Sequence, residues 1–345
     1  EGRDDVKGDI ILPLLLPEDY DYSGKKVVVI GSGATAMTVV PAMTDTAEHV
    51  TMLQRSPTYV VSRPSVDKVA NGMRKFMPSM MAYGLTRWRN VLMQLMVYNQ
   101  TRRRPQKVKD KLLHLTKQEL GDDIVDKHFT PTYNPWDQRL CLIPDSDLFT
   151  ALNENKASVV TDHIETFTET GIRLKSGEEL EADLIVTATG LDLQFIGGTE
   201  LTVDGRKLNP HDLINYRGAM VSGVPNMTSV FGYTNASWTL RADLTSEYMC
   251  KVINHLDKEN YVEARPVADG IEPASDFLDF SSGYVQRAME RFPQQGKEAP
   301  WLITQNYARD IFLMRHGKLE DGALICRRAH ETVSDVAGIV PAAAE

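Results

Sequence analysis

GKKVVVIGSGATAMTVVPAM, Gly24 to Met43, decides the fold. Its opening, KKVVVI, is a short apolar run suited to a strand covered on both faces, and the stretch after the glycines is helix-compatible. Between them GSGATA sets Gly31, Gly33 and Ala36 in a GxGxxA spacing. In that spacing the first glycine permits a tight turn, the second lets backbone approach a pyrophosphate, and the third small residue lets helix pack on strand. The helix start, with Ser32, Ala34, Thr35 and Met37, offers N–H groups and a positive dipole end to phosphate oxygens. The helix runs to about Thr46, and HVTMLQR supplies a second strand. Lys25 to about Arg63 therefore reads as the β-α-β unit of an α/β, Rossmann-like fold, and as a dinucleotide site rather than only a tight turn.

The tip of the second strand says which dinucleotide. An acidic residue there grips the ribose hydroxyls of NAD or FAD, but here the tip reads LQRS, with Arg55 and Ser56. A guanidinium and a hydroxyl suit a 2′-phosphate, because arginine binds its oxygens in a bidentate fork. The cofactor of this turn is expected to be NADPH.

The remaining composition narrows the partners. A net charge of −9 over 345 residues argues against general nucleic-acid binding, which needs surplus basic charge. Only Cys141, Cys250 and Cys326 are present, far apart, so neither a disulfide framework nor a CxxC motif is available and a reducing, cytoplasmic setting is the simplest reading. No stretch reaches the roughly 20 apolar residues of a membrane span. Residues 66–120 read as a helical insertion whose methionines, among them Met73, Met77, Met80, Met81, Met93 and Met96, fit core packing better than a plastic substrate lining. Within it TRRRPQKVKDK, Thr101 to Lys111, leaves two readings open: a solvated helix face, or peripheral contact with anionic membrane lipid or a phosphate.

Beyond the Pro- and aromatic-rich loop DKHFTPTYNPWDQRLC, the segments ASVVTD, FTETGIRLKSGEELEADL and LIVTATG read as a meander turning at Lys175 to Glu178, then a buried strand. NMTSVFGY reads as a further core strand and Leu240 to Leu256 as a helix. Residues 331–345 read as a disordered tail.

These runs resemble the flavin-containing Baeyer–Villiger monooxygenases, particularly the branch that includes the ethionamide-activating monooxygenase. The likeness joins GKKVVVIGSGATAMTVVPAM and VTMLQRSPTYVVSRP to FTPTYNPWDQRLCLIPDSDLF, ADLIVTATGL, GYTNASWTLRADLTSEYM and FSSGYVQRAMERFPQQG, in family order from Gly8 to about Leu324. It implies a two-dinucleotide flavoprotein in which NADPH reduces FAD and a flavin peroxide formed with O₂ attacks a small ketone, thioether or thioamide. The resemblance places the active-site arginine at Arg139 in PWDQRL, with Gln138 where relatives often carry a basic residue. It places the crossover to the FAD domain at Ala188, Thr189 and Gly190, and sets Asn235 and Trp238 near flavin or substrate, although loop residues of these types also serve simple packing. The implied domains are a linker at 1–22, an NADPH domain at 23–190 and a C-terminal return of the FAD domain at 191–330. The FAD fingerprint and a catalytic aspartate are expected in an N-terminal portion ahead of Glu1.

The approach to the motif departs from the family. Its F-x-G-x-x-x-H-x-x-x-W-P pattern stands here as VKGDIILPLLLP, with Leu12 for the histidine and Leu16 for the tryptophan. Neither leucine donates a hydrogen bond. A catalytically incompetent NADPH-binding remnant is therefore the second reading. A flavin disulfide reductase is disfavoured, since it needs a close cysteine pair.

Overall fold

The computed structural model describes residues 1–138, 140–278 and 280–331. Arg139 and the expected tail from residue 332 onward lie outside the described residues. The chain divides into two compact units, one of Glu1–Arg89 and Met96–Leu191, the other of Asn90–Leu95 and the chain from Asp192 onward.

The first unit is built on a parallel sheet. Strand β1 (Asp9–Ile11) is followed by β2 (Lys26–Ile30), helix α1 (Ala34–Met43), β3 (His49–Gln54) and β4 (Val60–Arg63). Next come α2 (Lys68–Phe76), α3 (Ser79–Arg103), α4 (Pro105–Leu120), α5 (Asp122–His128), β5 (Cys141–Pro144) and α6 (Asp147–Asn153). Strands β6 (Ala157–Thr161), β7 (Ile164–Thr168), β8 (Gly171–Leu174), β9 (Glu179–Glu181) and β10 (Leu184–Thr187) complete it. The main sheet runs β1-β10-β2-β3-β6, all parallel.

Alternation along the strands explains why KVVVI is apolar throughout. Val27 and Val29 of β2 point to one face with Met52 and Val186, where Ala36, Met37, Val40 and Met43 of α1 cover them. Val28 and Ile30 point to the other with Leu53 and Ile185, packing on Ile172 and Leu174 of the β7-β8-β9 sheet. A strand buried on both faces cannot carry the polar alternation of a half-exposed one.

The structure corrects the sequence reading in three places in this unit. ASVVTD is not part of the meander: its strand joins the parallel sheet beside β3, and only β7 to β9 form the antiparallel array. Asp9–Ile11, read as linker, forms the edge strand beside β10. The helical insertion is present as α2 to α4, but its methionines are not core, because Met80, Met81, Met93 and Met96 are exposed.

In the second unit, helix α7 (Trp238–Glu259) buries Leu240, Leu244, Tyr248 and Val252 at helical spacing. Beside them Arg241 and Asp310, each 2% exposed at the side chain, pair at 2.5 Å. Tyr233 and Thr304 also donate to the Asp310 carboxylate. The run NMTSVFGY forms no strand. Its apolar content is spent on packing: Phe231 lies 4.9 Å from the Trp238 ring, and Tyr233 is buried.

Candidate functional site

Because the five strands are parallel, their carboxyl ends share one edge, where ligands of open α/β sheets bind. Ile30 pairs with Leu53 and with Thr187, so Gly31 and Ala188 emerge just past them on that edge, where Arg55 follows Gln54, the last residue of β3.

The two turns there interlock. Gly31 has φ 135°, and a Cβ built on it would lie 2.2 Å from the Ala188 carbonyl oxygen. Its N–H donates to Leu53 O at 2.8 Å, while Ala188 N–H donates to Ile30 O at 2.8 Å. Only glycine fits a positive φ against a backbone oxygen. Thr189 and Gly190, the latter at φ 100°, are exposed just beyond.

Gly33 has a different reason to be small. It is the N-cap of α1 with ordinary extended backbone, and nothing lies within 4 Å of the position its Cβ would take. No side chain caps this helix start, so the first-turn N–H groups of α1 face open space at its positive end. Ser32 is half-buried, and Ala34 and Thr35 are exposed at this mouth. Ala36 and Met37 are buried in the sheet-facing core, so whatever they offer a ligand is backbone alone.

Arg55 and Ser56 are exposed, and among the described residues neither makes a hydrogen bond or ion pair. A free guanidinium at the same sheet edge as an uncapped helix start is a donor set for phosphate. The donors and the empty space at Gly33 fit a phosphorylated dinucleotide.

Beneath the tip lies a polar network that no sequence period announces. Gln54, 1% exposed, donates through Nε2 to His128 O at 2.7 Å and to Thr161 Oγ1 at 2.9 Å. Thr161 Oγ1 is in turn 2.7 Å from His128 Nδ1. Burial, with a smaller push from Lys127, holds the His128 ring below its usual value, favouring the neutral form. A neutral Nδ1 can accept the Thr161 hydroxyl proton while that oxygen accepts from Gln54. Gln54 Oε1 is buried without a partner among the described residues.

The loop 129–138 leads from α5 to the position of Arg139. A small polar pocket of about 220 Å³ there is lined by Thr101, Arg102, Pro105, Asn134, Pro135 and Asp137. Two cations of the basic run hold this loop: Arg102 pairs with Asp137 at 3.2 Å and Lys109 donates to Pro131 O at 2.6 Å. Arg103, Arg104, Lys107 and Lys111 remain exposed. Leu12 is exposed just past β1, at the same sheet edge. In the second unit Asn235 is buried and donates to Gln305 O, and Trp238 is half-exposed against Gly232.

No family model matches the chain. It is 50% identical over 328 residues to the FAD-containing monooxygenase EthA of Mycobacterium tuberculosis (strain ATCC 25618 / H37Rv), covering 94% of this chain and 67% of that one. It is 49% identical over 335 residues to the probable FAD-binding monooxygenase AlmA of Acinetobacter baylyi, covering 96% and 67%. Among solved structures, an oxidized steroid monooxygenase bound to NADP superposes with a TM-score of 0.68 at 18% identity, over 95% of this chain and 72% of that one.

Proposed function

The chain belongs to the FAD-containing monooxygenases, and from that premise we propose that it takes NADPH at the carboxyl edge of its parallel sheet to oxygenate a small ketone, thioether or thioamide with O₂. The observation that carries the coenzyme reading is the free Arg55 at the same sheet edge as the uncapped start of α1, with Gly31 locked on Ala188. Bound flavin supplies the oxygen activation. The first-turn N–H groups of α1 hold the pyrophosphate, and Gly33 leaves room for it. Arg55 and Ser56 take the 2′-phosphate. Arg139 comes directly after a loop braced by Arg102 and Lys109, and an arginine there keeps its positive charge at working pH to stabilise developing negative charge and polarise a substrate carbonyl.

Residues 23–190 form the NADPH domain in this reading and 191–330 the return of the FAD domain. The three free cysteines fit a reducing cytoplasmic setting, and the exposed Arg103, Arg104, Lys107 and Lys111 supply charge for peripheral contact with anionic lipid. No helix among the described residues is long and apolar enough to cross a membrane.

The test has two arms. NADPH titrated into the chain should bind far more tightly than NADH, and equal binding would remove the coenzyme reading. The intact, flavin-loaded protein should consume NADPH and O₂ in response to a ketone or thioether. NADPH binding with no such turnover would favour the remnant reading, to which Leu12 and Leu16 point.

A further inference from the structure

The loop 129–138 is stitched to the coenzyme edge as well as to the helical insertion. Tyr59, 1% exposed, donates its hydroxyl to Tyr133 O at 2.6 Å, and Tyr133 donates its own to Thr58 Oγ1 at 3.0 Å. The two rings meet edge to face, with centroids 5.5 Å apart at 88°. Past the loop, Cys141 N–H donates to Tyr59 O at 3.0 Å, and the Cys141 thiol lies 3.8 Å from Ser32 O in the glycine turn. Before it, His128 O is held by Gln54. Each contact joins the loop or its ends to a residue within a few positions of the phosphate-binding groups.

Within the loop, Trp136 sits at φ 73°, a conformation a bulky side chain adopts only when its surroundings impose it. Its ring meets Tyr98 edge to face at 5.8 Å. Arg55 and Ser56 are free to rearrange, whereas Thr58 and Tyr59, just beyond Pro57, are buried. A shift that the tip passes along the chain to Thr58 and Tyr59 therefore reaches the loop through packed groups.

We propose that Tyr59 and Tyr133 form a clasp through which a 2′-phosphate seated at Arg55 and Ser56 positions loop 129–138. Tyr59 and Tyr133 are positioning residues; neither touches the coenzyme in this account. The inference rests on the coenzyme reading above. It makes the 2′-phosphate a signal as well as a handle, because only a ligand bearing it makes the contact that distinguishes one loop position from another.

Trp136 is the reporter. Adenosine 2′,5′-bisphosphate added to the chain should change tryptophan emission, and the change should vanish in Trp136→Phe. 5′-AMP, which lacks only the 2′-phosphate, should leave the emission unchanged. The Tyr59→Phe/Tyr133→Phe double variant keeps the ring pair and loses both hydroxyls. It should bind the bisphosphate within about threefold of the unaltered chain by calorimetry, a small difference in free energy, yet lose the emission change. If the double variant does not fold, Tyr133→Phe alone serves, losing only the bond to Thr58. An emission change that survives intact in the variant, or its absence when the bisphosphate is bound, overturns the clasp while leaving the coenzyme reading standing. Failure of the bisphosphate to bind the unaltered chain overturns both.

Discussion

Gly31 and Ala188 meet backbone to backbone, the α-carbon of one standing where any side chain would strike the carbonyl oxygen of the other at 2.2 Å. The contact joins the first turn of the nucleotide motif to the turn that leaves the sheet. It separates the motif's two glycines: Gly31 is held by the fold, whereas nothing lies within 4 Å of a Cβ at Gly33, the glycine proposed to face the coenzyme.

Gly31→Ala should therefore destabilise the chain, by roughly 2 to 3 kcal/mol from backbone strain with the clash added. Gly33→Ala should leave thermal stability nearly unchanged, because its φ of −83° is ordinary and its Cβ meets nothing. It should instead weaken NADPH binding about tenfold, or ~1.4 kcal/mol. Melting curves and coenzyme titrations on the two variants check the pair. Equal losses of stability in both would contradict the division of roles.

Arg55→Ala should cost NADPH binding ~1.5 to 3 kcal/mol, the worth of hydrogen bonds to a charged group, and leave NADH binding as it was. Arg55→Lys should recover part of the loss, since an ammonium supplies the charge without the planar fork. A parallel fall in NADH affinity would show that Arg55 acts on something other than the 2′-phosphate.

The buried His128 gives a pH dependence of known sign. Its folded value lies below the ordinary 6.5, so the unfolded chain takes up this proton first as pH falls. The stability it contributes is present above about 6.5 and lost as pH falls through its lower folded value. Urea denaturation between pH 5 and 8 should show a slope that shrinks in His128→Gln. An identical slope in both proteins would rule this out.

In the second unit, Asp310 accepts from Arg241, Tyr233 and Thr304 with almost no exposure to water. Asp310→Ala strands the guanidinium and should cost ~3 to 5 kcal/mol, while adding Arg241→Met should restore part of that by removing the uncompensated charge. Chemical denaturation of the single and double variants decides. A double variant no more stable than Asp310→Ala would mean the arginine's other bond, to Arg217 O at 2.6 Å, carries the cost.

The sequence by itself determined the β-α-β unit, the place of the glycine turn and the family, and it supplied Arg55, on which the proposal of a 2′-phosphate rests. The unit and its turn are local, resting on a short apolar run, a helix's period and a spacing of small residues, while the family rests on a resemblance of several runs in order along the chain. Only the tertiary structure decided that ASVVTD belongs beside β3, that Asp9–Ile11 closes the sheet edge, and that Met80 and Met96 stand in solvent. It alone showed Gly31 against Ala188, Gln54 bonded to His128 O and Tyr59 bonded to Tyr133 O. Those partners lie 74 or more residues apart in the chain. A hydrogen bond across such a distance leaves no period in the sequence, because what selects its two residues is where packing brings them together.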